Sequence, residues 1–379
     1  MHPPDYADAG LLSDIVPAAA VTLGAGQILE DRQRKRAQKV GLDLEARVVV
    51  VALIDGMGIE LLKASWAYAP FLRSVRDSVS EFSAGFPSTT ANSLSSLGTG
   101  LLPGAHGVMG YKLKDPDTGD VFNQLSWNTT RDPHTWVPDT TLFERLHASG
   151  VDVVSLGEPK FVGRGLNAAS LRGGTFRGSH QFEQRVKHAV EEAKKPGRRL
   201  IYFYWGALDK TGHGKGTDSH AWTDELEAVD AGLARLANNL PGDAQLLITA
   251  DHGMVNVDYE ARIDLADHPD VCELVSAVGG EPRATHLYTP HPQETASAIN
   301  EIGAGRVHAM VRKQAVADGW FGPVRTQNLG RIGDVVAISG AGTAIVDSRN
   351  DSPSALRLRG HHGGITAQEL AIPLIVLRR

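Results

Sequence analysis

Cysteine is nearly absent from this chain. Cys272 is the only one in 379 residues, which excludes an intramolecular disulfide and any thiolate-based zinc site. A transition metal would have to be held by histidine and carboxylate. A basic excess is lacking too: 38 Lys and Arg stand against 44 Asp and Glu, a formal net charge of −6. General nucleic-acid binding needs a basic face, so no nucleic-acid polymer is expected as a partner. Long apolar runs are missing. The stretch from Leu11 to Ala25 is interrupted by Asp14 and Pro17 and follows no basic segment, so neither signal peptide nor membrane span is expected, and a cytoplasmic location is. There is no internal repeat and no low-complexity tract. Nothing in the sequence assigns an oligomeric state.

What remains is the composition of an ordinary globular protein, 42% hydrophobic and 22% charged. The length suits two or three average domains or one large α/β enzyme. Residues 1–45 read as a polar lead-in, with the basic run at 32–36 as a solvated face. Val48–Ile54 is a continuous apolar run, the pattern of a buried strand. Residues 59–77 alternate in helical fashion. Helices are predicted from Thr90 to Leu101, at Leu142–Ala148, at Phe182–Lys194 and at Asp224–Leu240, where Leu226, Val229, Leu233, Leu236 and Leu240 recur every three or four residues. Strands are predicted at Val151–Leu156, Leu200–Trp205, Leu246–Ala250 and Leu370–Leu377. This alternation argues for a mostly parallel sheet flanked by helices. Residues 257–358 are richer in Pro, Gly and charge, with shorter strand candidates at Arg283–Tyr288 and Asp334–Ile338. They read as a smaller α/β insert in a core made of 46–256 and 359–379.

The chemistry-bearing residues share an address. Asp55, Asp209 and Asp251 each fall just past an apolar strand-like run, where parallel sheets bind ligands. Asp55-Gly56 alone is also a favoured turn. Asp209 and His213 lie four apart, so one helical turn puts both on one face; Gly212 and Gly214 argue against a regular helix continuing there and for a close approach. Asp251-His252 offers adjacent hard and borderline ligands, which suit zinc. His361 and His362 precede two glycines. Thr90 reads as a helix N-cap, as a nucleophile, or as both, since a helix N-terminus also stabilises a phosphoryl oxyanion. Together these residues suffice for two zinc ions and one hydroxyl nucleophile, a set suited to hydrolysis at phosphorus.

With VALIDGMG (51–58), FPSTTANSLSSLGTGLLPGAHG (86–107), YWGALDKTGH (204–213), ITADHGM (248–254) and RGHHGG (359–364), the chain resembles the alkaline phosphatase superfamily. Within it, the closest likeness is to the nucleotide pyrophosphatase/phosphodiesterase (type I phosphodiesterase) group. The likeness covers roughly 47–110, 200–256 and 359–377. It implies an alkaline-phosphatase-like α/β sandwich and a small-molecule phosphoester substrate. It implies two zinc sites, one from Asp209, His213 and His362, the other from Asp55, Asp251, His252 and the Thr90 oxygen. Manganese or iron are possible substitutes at such N/O sites. Thr90, three residues after Pro87, matches the family's nucleophile position, with Thr89 the alternative. His361 receives no role. The nucleotide-cleaving members carry an Asn where this chain reads Val108-Met109-Gly110-Tyr111; either Tyr111 is the substitute O–H donor to the substrate or the substrate preference differs from theirs.

The chemistry implied is attack by a metal-activated Thr90 alkoxide, a phosphothreonine ester, and its hydrolysis with net retention. Trp127, Trp136, Phe161 and Phe176 are candidates to enclose the second substituent of a diester, and Lys112 and Lys114 to attract anions. The rivals are a phosphomonoesterase or phosphonate hydrolase of the same build, a metal-dependent phosphomutase, and a zinc-binding protein without turnover.

Overall fold

A computed structural model describes residues 1–42 and 46–378. Seven strands form the main sheet: β1 (Val48–Ile54), β2 (Val79–Ser83), β3 (Asp152–Gly157), β4 (Thr175–Gly178), β5 (Arg199–Trp205), β6 (Ala244–Thr249) and β7 (Ala371–Arg378). Their spatial order is β2-β7-β6-β1-β5-β3-β4. All run one way except β7, which is antiparallel to both neighbours. Every residue of β1 and β6 is buried. That is why β1 is a continuous apolar run and β6 is apolar from Leu246 to Ile248 rather than alternating: a parallel sheet is covered on both faces.

Flanking helices include Thr90–Thr99, Leu142–Ala148, Phe182–Ala193, Ala207–Lys215 and His220–Asn239. The helical pattern of 59–77 resolves into Ile59–Ala64 and Pro70–Ser74 with a 3₁₀ turn between them. Pro70 restricts the residue before it and starts a new helix.

The segment read as a polar lead-in does more than lead in. Ile15–Thr22 is a helix with seven of its eight residues buried, and it belongs to the main core. Residues 43–45, the end of that lead-in, lie outside the described residues. The basic run sits on the helix Asp31–Val40, which buries Gln33 and Ala37. Arg36 is more than solvation: it pairs with buried Asp14 at 2.7 Å and donates to the carbonyls of Tyr6, Ala7 and Ala9.

A second, antiparallel sheet of six strands stands apart from the first. Val307–Val311, Val335–Ser339, Ala284–Tyr288 and Ala277–Glu281 supply four of them; Lys112–Lys114 and Val121–Asn123, from earlier in the chain, supply the other two. Among the described residues no helix is long and apolar enough to cross a membrane.

Candidate active site

The registers of β1, β5 and β6 align their carboxyl ends. Ile54 is level with Trp205, and Leu53 with Thr249. Asp55, one residue past β1, is pinned by its N–H donating to the Trp205 carbonyl at 2.8 Å. Gly56 turns the chain at φ +74°, and a Cβ there would lie 3.0 Å from the Asp209 Cβ; only glycine permits both the conformation and the approach. Asp251 follows β6. Its Oδ1 accepts from the N–H groups of Gly56 and His252, each at 3.1 Å.

Asp209 and His213 lie on the helix Ala207–Lys215, which runs through both glycines instead of ending at them. The close approach expected of Gly212 is real: a Cβ would meet the Met254 sulfur at 2.5 Å. His362 arrives from the far end of the chain, held by two short pairings. His361 pairs with Val255 beside the Asp251 turn, and Gly363 bridges to Ser88 beside the Thr90 helix. Thr89, extended at φ −130° and ψ 145°, is the N-cap residue of that helix; Thr90 is its first residue. The reading of Thr90 as N-cap is thus off by one. Capping takes the residue with non-helical backbone angles, and those belong to Thr89.

All seven expected residues converge. Thr90 Oγ1 lies 3.0 Å from His252 Nε2, which is 3.5 Å from Asp55 Oδ1 and 3.4 Å from Asp251 Oδ2. Asp209 Oδ1 is 3.4 Å from His213 Nε2 and 3.8 Å from His362 Nε2. Ligand atoms of Asp55, Asp251 and His252 lie within 4.8 Å of one another, as do those of Asp209, His252 and His362.

The three imidazoles are oriented alike. Nδ1 of His213 faces the Gly360 carbonyl at 2.7 Å, Nδ1 of His252 that of Gly253 at 2.9 Å, and Nδ1 of His362 that of Ser88 at 3.0 Å. A carbonyl only accepts, so each Nδ1 carries the proton and each Nε2 presents a lone pair inward, the arrangement of metal-ligating histidines. His213 and His362 thereby point two lone pairs at each other across 3.2 Å. Asp55 Oδ1, Asp209 Oδ1 and Asp251 Oδ2 are buried with no hydrogen-bond partner. Such groups are costly unless something positive stands between them. The donors are carboxylate oxygen and imidazole nitrogen, so the site fits a pair of divalent cations such as zinc.

Electrostatics agree. Burial, then repulsion from Asp251 and Asp209, pushes the Asp55 carboxyl well above its ordinary range; the Tyr204 hydroxyl, bonded to Asp55, opposes this. Burial also raises Asp251. Burial, with His252 and His213 nearby, holds His362 well below 6.5. His361 turns its Nε2 to the Leu358 carbonyl at 3.2 Å, and burial, with His213 nearby, takes it down to about 3.

A cavity of about 440 Å³ opens over these groups, with Thr90, Tyr111, Lys112, Phe161, Tyr204 and Glu281 in its wall. A recess of about 80 Å³ beside Thr90 is walled by Leu94, Leu125, Phe161, Leu166, Phe176 and Tyr202. Of the four candidate aromatics, Phe161 and Phe176 thus reach the site. Trp136 is buried against Phe122 at 4.9 Å, and Trp127 packs on the same ring at 5.3 Å. Lys112 lines the cavity, paired with Asp351 at 3.2 Å, whereas Lys114 lies over the Tyr288 ring. Tyr111 is half-buried in the wall. Two residues escaped the sequence reading. Tyr204, which holds Asp55, stands inside a quoted motif, whereas Glu281, in a Gly-Gly-Glu-Pro stretch, carries no periodic signal.

The profile of the family described as type I phosphodiesterase / nucleotide pyrophosphatase matches residues 49–365. Human ectonucleotide pyrophosphatase/phosphodiesterase family member 5 is 25% identical over 283 residues, 70% of this chain and 55% of that protein. Venom phosphodiesterase 2 of Crotalus adamanteus is 25% identical over 251 residues, 61% of this chain and 28% of that protein. This chain thus spans from about a quarter to just over half the length of such relatives. The solved structure of murine ectonucleotide pyrophosphatase/phosphodiesterase 5 superposes with a TM-score of 0.70 at 21% identity, covering 86% of this chain and 87% of that one. An inactive threonine-to-alanine form of the murine protein, in complex with AMP, gives 0.68 at 20% identity, covering 87% of each chain.

Proposed function

Because the chain belongs to the type I phosphodiesterase / nucleotide pyrophosphatase family of the alkaline phosphatase superfamily, we propose that it hydrolyses phosphodiester or pyrophosphate bonds of small molecules, with Thr90 as nucleophile and two zinc ions as cofactors. One observation carries this reading. The Thr90 hydroxyl heads a helix 3.0 Å from His252 Nε2, within a ring of buried carboxylate oxygens that lack partners. The threonine-to-alanine change in the inactive AMP-bound murine relative is in keeping with it.

Asp209, His213 and His362 would hold one cation; Asp55, Asp251, His252 and Thr90 Oγ1 the other. The bound cations supply Lewis acidity, which lowers the Thr90 hydroxyl pKa and neutralises charge on the phosphoryl oxygens. The protein supplies placement. The Thr90 oxygen attacks phosphorus, and the bond from phosphorus to the leaving oxygen breaks. A water oxygen then attacks the phosphothreonine, and the bond from Oγ1 to phosphorus breaks. Two inversions give net retention. N–H groups in the first turn of the Thr90 helix have no partner within the helix and favour the negative phosphoryl group. Phe161 and Tyr204, edge to face at 6.0 Å, line both the cavity and the recess and suit a ring on the second substituent, as in a nucleotide.

The test is a panel of para-nitrophenyl mono- and diesters with dinucleotides, using zinc-loaded protein. Diesters or pyrophosphates should turn over at least about tenfold faster than monoesters. Thr90→Ala should lose at least about a thousandfold in kcat. Preference for monoesters, or full turnover by Thr90→Ala, would overturn the reading.

A further inference from the structure

We propose that Glu281 touches the substrate: its carboxyl group, wedged beside the segment of the nucleophile, donates a hydrogen bond to a non-bridging oxygen of the phosphoryl group attacked at Thr90. This rests on the reading of the site as one for phosphoryl transfer. Glu281 ends the strand Ala277–Glu281 of the second sheet and lines the same cavity as Thr90 and His362. Two contacts fix where its carboxyl sits. Oε2 accepts from the Tyr111 N–H at 2.7 Å. The side chain also packs on Gly363, where a Cβ would lie 2.4 Å from the Glu281 Cγ. Gly363 donates its N–H to Ser88 Oγ at 3.1 Å, two residues before Thr90. The carboxyl is thus wedged between the loop that carries His362 and the segment that carries the nucleophile.

Its other oxygen, Oε1, is buried and has no hydrogen-bond partner, and the residue is only 7% exposed. Burial raises its affinity for a proton. The Tyr111 N–H opposes this, the neighbouring Glu369 adds to it, and the Thr89 hydroxyl opposes it weakly; the balance lies well above the ordinary glutamate range. Glu369 is itself committed to Arg283 at 2.6 Å. A carboxylate here would repel an anionic substrate, whereas a carboxylic acid offers one O–H donor in search of an acceptor. A phosphoryl oxygen placed at Thr90 supplies that acceptor.

The test compares wild type, Glu281→Gln and Glu281→Ala, all zinc-loaded, by calorimetric binding of inorganic phosphate and by kcat/KM on a diester. Glutamine keeps both the acceptor for Tyr111 and a neutral donor, so Glu281→Gln should stay within about threefold of wild type. Glu281→Ala should lose roughly ten- to a hundredfold in both readouts, the range for one hydrogen bond to a charged group. Replacing the non-bridging oxygen by sulfur, a poorer acceptor, should cost less in Glu281→Ala than in wild type, an effect that a purely structural role would not produce. If Glu281→Ala does not fold, Glu281→Met, of similar length without a donor, serves the same comparison. Two results would overturn the proposal: unchanged or tighter phosphate binding in Glu281→Ala, or equal losses in Glu281→Gln and Glu281→Ala. A wild type that shows the expected phosphate-binding pattern but cleaves no ester sinks the hydrolase reading and leaves this contact standing.

Discussion

Asp55 sits where a carboxylate is least stable without a cation: 3% exposed, facing Asp251 and Asp209, with one oxygen unpartnered. Its proton affinity in the folded protein is raised above the ordinary 3.8. Between those two values the native state holds a proton that the unfolded chain releases. Stability of the metal-free protein therefore falls, on this group's account, as pH rises through that interval. Two outcomes are expected. Asp55→Asn should stabilise the metal-free protein by about 1–3 kcal/mol, as measured by urea unfolding, while abolishing turnover. The rise in Tm on adding zinc should be larger at about pH 8 than at about pH 5.5, because binding displaces the proton and relieves the repulsion. Equal zinc-induced shifts at both pH values would contradict this account of the site.

At the scale of elements, ligand placement follows from strand ends that are level and from loops that are tied. Arg283 and Glu369, both fully buried, form a two-pronged pair at 2.8 and 2.6 Å. Glu369 also accepts from the Gly364 N–H at 2.9 Å. This pair joins the second sheet to the loop that carries His362. Removing one partner strands a buried charge, so Arg283→Met should cost about 3–5 kcal/mol and weaken metal retention. Equilibrium unfolding and zinc content after dialysis would check it, and a variant with wild-type values would show that the loop is held by other means.

These elements also explain what the sequence made legible. Asp55, Asp209, Asp251 and His252 stood out because apolar strands β1, β5 and β6 end just before them, and the strand limits fall within one or two residues of expectation. The exceptions were tertiary. Gly212 lies inside a helix, and it is glycine because the Met254 sulfur fills the space a Cβ would need. Ile15–Thr22 is buried by the rest of the core, which no local pattern announces. Glu281 acquires meaning only once Tyr111 and Gly363 close around it.

Over the whole molecule, the carboxyl ends of the main sheet place Asp55, Asp251 and His252, the helix Ala207–Lys215 carries Asp209 and His213, the C-terminal loop carries His362 and the helix Thr90–Thr99 the hydroxyl, while the second sheet closes the cavity from above with Glu281 and, through the strand Lys112–Lys114, Lys112. That division explains why residues more than 300 positions apart, Asp55 and His362, can serve one reaction. The most direct measurement is an anomalous difference map at the zinc edge from crystals grown with zinc. The account expects two peaks, one among Asp209, His213 and His362, the other among Asp55, Asp251, His252 and Thr90. A fully loaded crystal with no peak among these residues, or with zinc only elsewhere on the chain, would contradict it.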